Sequence, residues 1–351
     1  PAHAINIRGE AARKITDHAP EGMNKVFFTN GGADANENAM RMARLHTGRD
    51  KIISRYRSYH GNTGSAVVAT GDWRRIPNEY ARAHVHVFGP YEYRSEFWSD
   101  SPEQEAERAL HHLERTIQAE GAESIAAILL ESIPGTAGVL TPPPGYMAGV
   151  RAIADKYGIL LILDEVMVGF GRTGHWFAFE AFDVKPDLIT FAKGVNSGYI
   201  PVGGVIISDE IAATFDERVF PGGLTYSGHP LAAASIVASI TAMEEEGIVE
   251  NAAMIGRDHI APGLAALADK HECIGDVRGS GVFWALELVA NRETREPLSA
   301  ADMGKVKGAL VKRGLLPFIA DNRIHVVPPA VVTPEEVARA MAIYDEALSE
   351  L

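Results

Sequence analysis

Two apolar runs end in opposite charges: Ile159-Leu-Leu-Ile-Leu-Asp164-Glu165-Val166 and Asp187-Leu-Ile-Thr-Phe-Ala-Lys193-Gly194. Each run has the length of a strand and is apolar enough to be buried on both faces. Open α/β sheets take their ligands at the carboxyl ends of such strands. Asp164 and Lys193 therefore mark a candidate site, and the rest of the chain can be read outward from them.

Helical and strand patterns alternate around this pair. Residues 25–28, 51–55, 124–130 and 202–208 read as further strands. Ser101-Pro102-Glu103-Gln104 is a capping box with proline at the first helical position, and the helix it opens closes at Gly121. Residues 36–46 and 146–157 also read as helices, the second ended by Gly158. This βαβα order implies a parallel sheet covered on both faces. His229-Pro230 opens a long helical pattern that runs to about residue 246. Residues 277–288 and 323–327 then read as strands between helices. The texture changes near residues 247–253, which predicts a large domain over 1–247 and a smaller α/β domain over 248–351. No internal repeat is visible.

Composition narrows the partners. The 351 residues are 46% hydrophobic and 23% charged, ordinary for a globular protein with a sizeable core. The formal net charge of −13, with no basic block, argues against nucleic acid or an anionic membrane surface. No apolar run approaches a membrane span. Cys273 is the only cysteine, so no disulfide can form within the chain, and a reducing cytoplasm is the expected compartment. No signal peptide is visible. The chain opens at Pro1 directly on a helix-like segment, and an N-terminal part of the native protein is expected to precede it.

Several stretches could carry chemistry. A lysine that holds an aldehyde cofactor and a carboxylate that keeps its ring protonated are the minimum for pyridoxal phosphate chemistry. Lys193 attacks an aldehyde only as the neutral amine, which desolvation or nearby positive charge favours; a strand-end surface lysine is the plainer alternative. Asp164 would be costly to bury unpaired, and a pyridinium nitrogen or a turn-capping role would each answer that. Glu165 beside it reads as structural. Thr29-Asn30-Gly31-Gly32-Ala33-Asp34 could present backbone N–H groups to an anion at a helix start, or form a tight turn capped by Asp34. Tyr59-His60-Gly61 could stack on a flat heterocycle or pack in the core. Thr225 in Thr225-Tyr-Ser-Gly-His-Pro230 could bond a phosphate or cap the helix. Gly169-Phe-Gly-Arg-Thr-Gly174 matches GxGxxG, but an aromatic run follows instead of a helix start. It reads as a loop shaping the pocket beside Asp164, not as a dinucleotide fingerprint.

Taken in order, these pieces resemble the class III aminotransferases, pyridoxal phosphate enzymes of fold type I, over nearly the whole chain. The motifs are Asn30–Glu37, Tyr59-His60-Gly61, Glu131, Leu163–Val166 with Gly169–Gly174, Ala192-Lys193-Gly194, Thr225–Pro230 and Arg278–Gly281. No single one decides the matter; their order and spacing do. The resemblance implies a mostly parallel seven-stranded sheet with helices on both faces, plus the smaller C-terminal domain. It implies that Gly32 and Ala33 bind the phosphate of pyridoxal 5'-phosphate and that Tyr59 stacks on its ring, with His60 beside it. Asp164 would pair with the ring nitrogen, Val166 would pack on the opposite face, and Lys193 would hold the aldehyde covalently. Glu131 would lie near the cofactor and substrate side and help to orient the residues there. Thr225 would reach the phosphate of a neighbouring subunit in a homodimer. No metal is implied. The chain departs from the family at Gly31, where serine is usual, at Asp34 for glutamate, and at Met167 for glutamine. At His325 many members place an arginine for a substrate carboxylate; here Arg323 lies two residues earlier.

The resemblance is strongest to ω-amino acid aminotransferases that use pyruvate, such as taurine– or β-alanine–pyruvate enzymes. It implies transfer of an amino group from an ω-amino acid or amine donor to a keto acid, pyruvate being expected. The alternatives are an aminomutase or decarboxylase on the same fold, a nicotinamide enzyme using Gly169–Gly174, and a binding protein that retains only the scaffold. A mutase or decarboxylase would need no second keto acid.

Overall fold

The computed structural model describes residues 3–351. Contacts divide the chain into two units. The first comprises Pro1–Pro134, Pro142–Phe170 and Phe177–Glu246; the second comprises Gly247–Leu351 with the loops Gly135–Thr141 and Gly171–Trp176.

Seven strands form the sheet of the first unit: β1 (Lys25–Thr29), β2 (Lys51–Arg55), β3 (His84–Val87), β4 (Ile125–Glu131), β5 (Leu160–Asp164), β6 (Leu188–Phe191) and β7 (Gly203–Ile207), in the spatial order β1-β7-β6-β5-β4-β2-β3. The pairs β3–β2, β2–β4, β4–β5 and β5–β6 are parallel, whereas β7 runs antiparallel to both β6 and β1. The sheet is thus mostly parallel, as the resemblance implies, with β7 the one strand that runs the other way. The helices are α1 (Asn6–Thr16), α2 (Gly32–Thr47), α3 (Gly64–Ala69), α4 (Pro102–Glu120), α5 (Tyr146–Tyr157), α6 (Asp209–Ala213) and α7 (Pro230–Glu245).

Side chains alternate between the two faces of a strand. On one face Leu129, Ile162, Leu188 and Val205 join Ala35, Ala39, Met42 and Ala43 of α2 in one buried cluster. The intervening residues Ile128, Leu130, Leu161, Leu163, Ile189 and Ile206 are as deeply buried. Both faces are therefore covered, which is why these strands read as continuous apolar runs.

Helix ends follow local chemistry. Ser101 caps α4 by accepting from the Gln104 N–H at 3.3 Å, but Gln104 reaches back to the Asp100 N–H and not to Ser101. Gly158 closes α5 in the left-handed conformation. His229, not Thr225 or Ser227, caps α7: its Nδ1 accepts from the Ala232 N–H at 3.2 Å.

The second unit holds α8 (Ile248–Ile255), α9 (Ala261–Lys270), α10 (Ala300–Lys312) and α11 (Pro334–Leu348) with five strands: β8 (Ile274–Ser280), β9 (Phe283–Asn291), β10 (Glu296–Pro297), β11 (Phe318–Ala320) and β12 (Arg323–Val326). The run 277–288, expected as a strand, is the greater part of a β8–β9 hairpin. Gly281 adopts φ +53° at the turn, a conformation that favours glycine.

Ile162 is fully buried, so Ile162→Ala should cost about 2–5 kcal/mol of stability, against about 1 kcal/mol for loss of the α4 cap in Ser101→Ala. Urea unfolding of the two variants checks this ordering.

Candidate active site

The site grows from the carboxyl ends of three neighbouring strands. Glu131, Asp164 and Thr190 are paired in one row across β4, β5 and β6. All three are buried, and Asp164 is 3% exposed. A carboxylate so placed needs partners. Its Oδ2 accepts from Nδ2 of Asn36 and faces Nδ1 of His60, both at 2.8 Å, while Oδ1 accepts from the Val166 N–H at 3.0 Å. Asn36, missed as a site residue by sequence reasoning, lies in the second turn of α2. Its position inside the quoted Asn30–Glu37 motif was the available signal.

Two further stretches are seated against this carboxylate. A Cβ on Gly32 would fall 2.7 Å from Cγ1 of Val166, so only glycine lets the start of α2 meet the turn after β5. Gly61, at φ +129°, lies so close to α2 that a Cβ there would fall 2.5 Å from that of Ala33. The loop carrying Tyr59 and His60 is thereby pressed onto the first turn of α2. Asn36 Nδ2 also donates to the His60 carbonyl, and Glu37 Oε1 accepts from the Ala66 N–H at the start of α3. Glu131 Oε1 accepts from the Tyr59 N–H at 2.9 Å. The guanidinium of Arg74 lies 3.9 Å from the Tyr59 ring centre, covering one face of it.

α2 begins at Gly32, four residues earlier than the sequence pattern predicts, with Gly31 and not Asp34 as N-cap. Gly31 offers no side-chain cap, so the N–H groups of Gly32, Ala33 and Asp34 are left without intrahelical acceptors. Such a helix start suits an anion.

Lys193 opens a short 3₁₀ turn two residues past β6 and adopts φ +43°. A lysine in this region is uncommon and marks local strain. Gly194 follows it so closely on the Gly169 carbonyl that a Cβ would approach that oxygen to 2.9 Å. The Lys193 side chain is exposed, so this chain alone does not supply the desolvated setting expected for it. Thr225 is likewise exposed, and no hydrogen bond among the described residues joins it to the Asp164 cluster. The stretch Gly169–Gly174 opens no helix, as expected. Among the described residues no cluster of ligating side chains could hold a metal, and no helix is long and apolar enough to cross a membrane.

In the second unit, His325 lies on β12, where burial pushes its pKa down to about 4 and Arg323 and Arg278 add to the effect. It is uncharged at neutral pH. Arg323 is paired with Asp321, and Arg278 with Glu287 at 2.8 Å.

The family profile described as Aminotransferase class-III matches residues 2–348. The putrescine–pyruvate aminotransferase of Pseudomonas aeruginosa is 37% identical over 97% of this chain and 76% of its own length. The taurine–pyruvate aminotransferase of Rhodobacter capsulatus is 34% identical over 94% of this chain and 76% of its own. Among solved structures, a taurine:2-oxoglutarate aminotransferase from Bifidobacterium kashiwanohense, in complex with PLP and glutamate, superposes with a TM-score of 0.96 at 43% identity, covering all of this chain and 80% of that one.

Glu165 is fully buried behind the site. It accepts from Ser132 Oγ and from the N–H groups of Ala178 and Phe179 at 2.8 and 3.3 Å. Burial nevertheless pushes its carboxyl up to about 7. The folded state then keeps this proton after the unfolded chain has released it. Stability should fall as pH rises from about 4.5 to about 7, by on the order of 3 kcal/mol, and then level off. Urea titrations of the protein without cofactor check this slope, which Glu165→Gln should flatten.

Proposed function

Because the chain belongs to the class III aminotransferases and so is a pyridoxal 5'-phosphate-dependent transaminase, we propose that it moves an amino group from an ω-amino acid or amine donor to pyruvate. One observation carries the assignment of the site: a buried carboxylate and a strained lysine at the carboxyl ends of adjacent strands. The residues fit the cofactor. The uncapped first turn of α2 suits its phosphate, and Asp164 offers a protonated ring nitrogen an anionic partner.

In this reading Gly32 and Ala33 hold the phosphate through backbone N–H groups, Tyr59 stacks on the ring beside His60, and Val166 packs on the opposite face. Asp164 holds the ring nitrogen, and Nζ of Lys193 holds the aldehyde. The bound cofactor supplies an electron sink and carries the amino group between donor and acceptor. Lys193 Nζ also moves a proton to and from the donor's amino-bearing carbon. Glu131 ties the backbone of Tyr59 to the end of β4 and so orients the aromatic wall of the site.

The donor is an amine remote from any α-carboxylate. The names of the relatives, which act on putrescine and taurine, support this. The purified protein should carry a visible absorbance band that borohydride fixes to Lys193, and Lys193→Ala should lower kcat by at least about 10³-fold. With taurine, β-alanine, 4-aminobutyrate, putrescine and a plain amine as donors, alanine should form from pyruvate faster than glutamate forms from 2-oxoglutarate. Equal or greater glutamate production would reject pyruvate as the acceptor.

We also propose that the chain works as a homodimer, with Thr225 reaching the phosphate of the partner's site. Support comes from exposed apolar residues on the same unit, among them Tyr199, Val219, Tyr226 and Leu231. Light scattering should give twice the chain mass, and Thr225→Ala should weaken cofactor binding without altering that mass. A monomer that retains full activity would refute this arrangement.

A further inference from the structure

We propose that Asn36 is a positioning residue for Asp164, and that the Thr190 hydroxyl braces the oxygen end of its amide. The inference rests on the reading that Asp164 holds the ring nitrogen of the bound cofactor. It concerns residues that no role has so far been given.

The argument is an accounting of hydrogen bonds. A carboxylate offers roughly four lone-pair positions, two on each oxygen. At Asp164 both positions on Oδ2 are taken, by Nδ2 of Asn36 and Nδ1 of His60, and one on Oδ1 is taken by the Val166 N–H. One acceptor position is left over, and it is on Oδ1. His60 is the donor in its pair, since a carboxylate has no proton to give, and its buried Nε2 has no partner among the described residues. The network thus selects a single place for the ring N–H of the cofactor.

Asn36 holds that selection in place. Three of the four positions on its amide are used: Nδ2 donates to Asp164 and to the His60 carbonyl, and Oδ1 accepts from Thr190 Oγ1, each at 2.8 Å. The two ends of an amide are nearly alike in shape, and their orientation is read from partners. Here the Asp164 carboxylate and the His60 carbonyl, which can only accept, fix the nitrogen, and the Thr190 hydroxyl gives its proton to the oxygen at the other end. Without that hydroxyl, Oδ1 of Asn36 is left buried with no donor and the amide loses one of its three anchors. Without the Asn36 amide, Oδ2 loses a donor and the carboxylate is held only by His60 and the Val166 N–H. Asn36, His60, Asp164 and Thr190 are all at most 3% exposed, so water does not substitute readily for a lost partner.

The test uses the full chain loaded with pyridoxal 5'-phosphate, as wild type, Asn36→Ala, Thr190→Val and Thr190→Ser. The cofactor dissociation constant is measured by equilibrium dialysis, the pH midpoint of the visible band by spectrophotometry, and the thermal midpoint on protein stripped of cofactor. Loss of one hydrogen bond to a charged group should weaken cofactor binding about tenfold or more in Asn36→Ala, and several-fold in Thr190→Val. The midpoint of the visible band should shift in both, and Thr190→Ser should restore wild-type behaviour in both readouts. A purely structural role would lower the thermal midpoint alone. If both variants bind cofactor within about twofold of wild type and keep its spectral midpoint, the positioning role is overturned while the cofactor assignment stands. If borohydride labels no lysine at position 193 in the wild type, the underlying reading falls, and this inference with it.

Discussion

The cost of burying the Asp164 carboxylate governs the architecture of the site. An ion removed from water is tolerated only where donors replace the solvent. Here they come from three separate pieces of chain: the second turn of α2, the loop after β2 and the turn after β5. Each of those pieces also carries a residue proposed to hold the cofactor, namely Ala33, Tyr59 and Val166. The contacts that satisfy the carboxylate therefore also assemble the site, so that its solvation and its construction are one problem.

The pieces can meet because side chains are missing where they touch. Gly32 yields to Val166, Gly61 to Ala33, Gly194 to the Gly169 carbonyl, and Gly203 to the backbone of Gly31, where a Cβ would fall at 2.8 Å. A methyl group at any of these would push a loop outward by more than a hydrogen bond tolerates. Lys193 is the exception that shows the constraint from the other side. It adopts a left-handed backbone that glycine would take at no cost, and it keeps a side chain there. Strain retained at a position where the chemistry needs an amine is the pattern expected of a functional residue.

Much of this was legible in the sequence, for physical reasons. Strands buried on both faces have to be apolar throughout, so β4, β5 and β6 announced themselves and their polar last residues stood out. Caps and closing glycines marked α4 and α5. What was not legible depends on geometry that periodicity does not encode. The reversal of β7 follows from a short connection and not from a change in composition. The early start of α2 was hidden because glycines precede it, and glycine ordinarily signals a turn. The fold at Gly281 lies inside a run that reads as one strand, although glycines stand at 279 and 281. The exposure of Lys193 was one of two readings that sequence left open, since apolar neighbours in sequence do not guarantee enclosure in space.

The roles of Asn36 and Thr190 illustrate how far register extends such a reading. Leu129, Ile162 and Leu188 form one row across β4, β5 and β6, and this row packs on α2. Two residues further on, Glu131, Asp164 and Thr190 form the next row. With a side-chain period of two, that row lies on the same face. A polar residue in the second turn of α2 is therefore bound to face Asp164 and Thr190, and an amide is the residue type that can donate to one and accept from the other. An aspartate at position 36 would set two carboxylates together, and a leucine would leave Asp164 with fewer donors than its burial requires. The sheet register and the hydrogen-bonding capacity of one side chain thus restrict position 36 more tightly than helix propensity, which ranks asparagine and aspartate nearly alike.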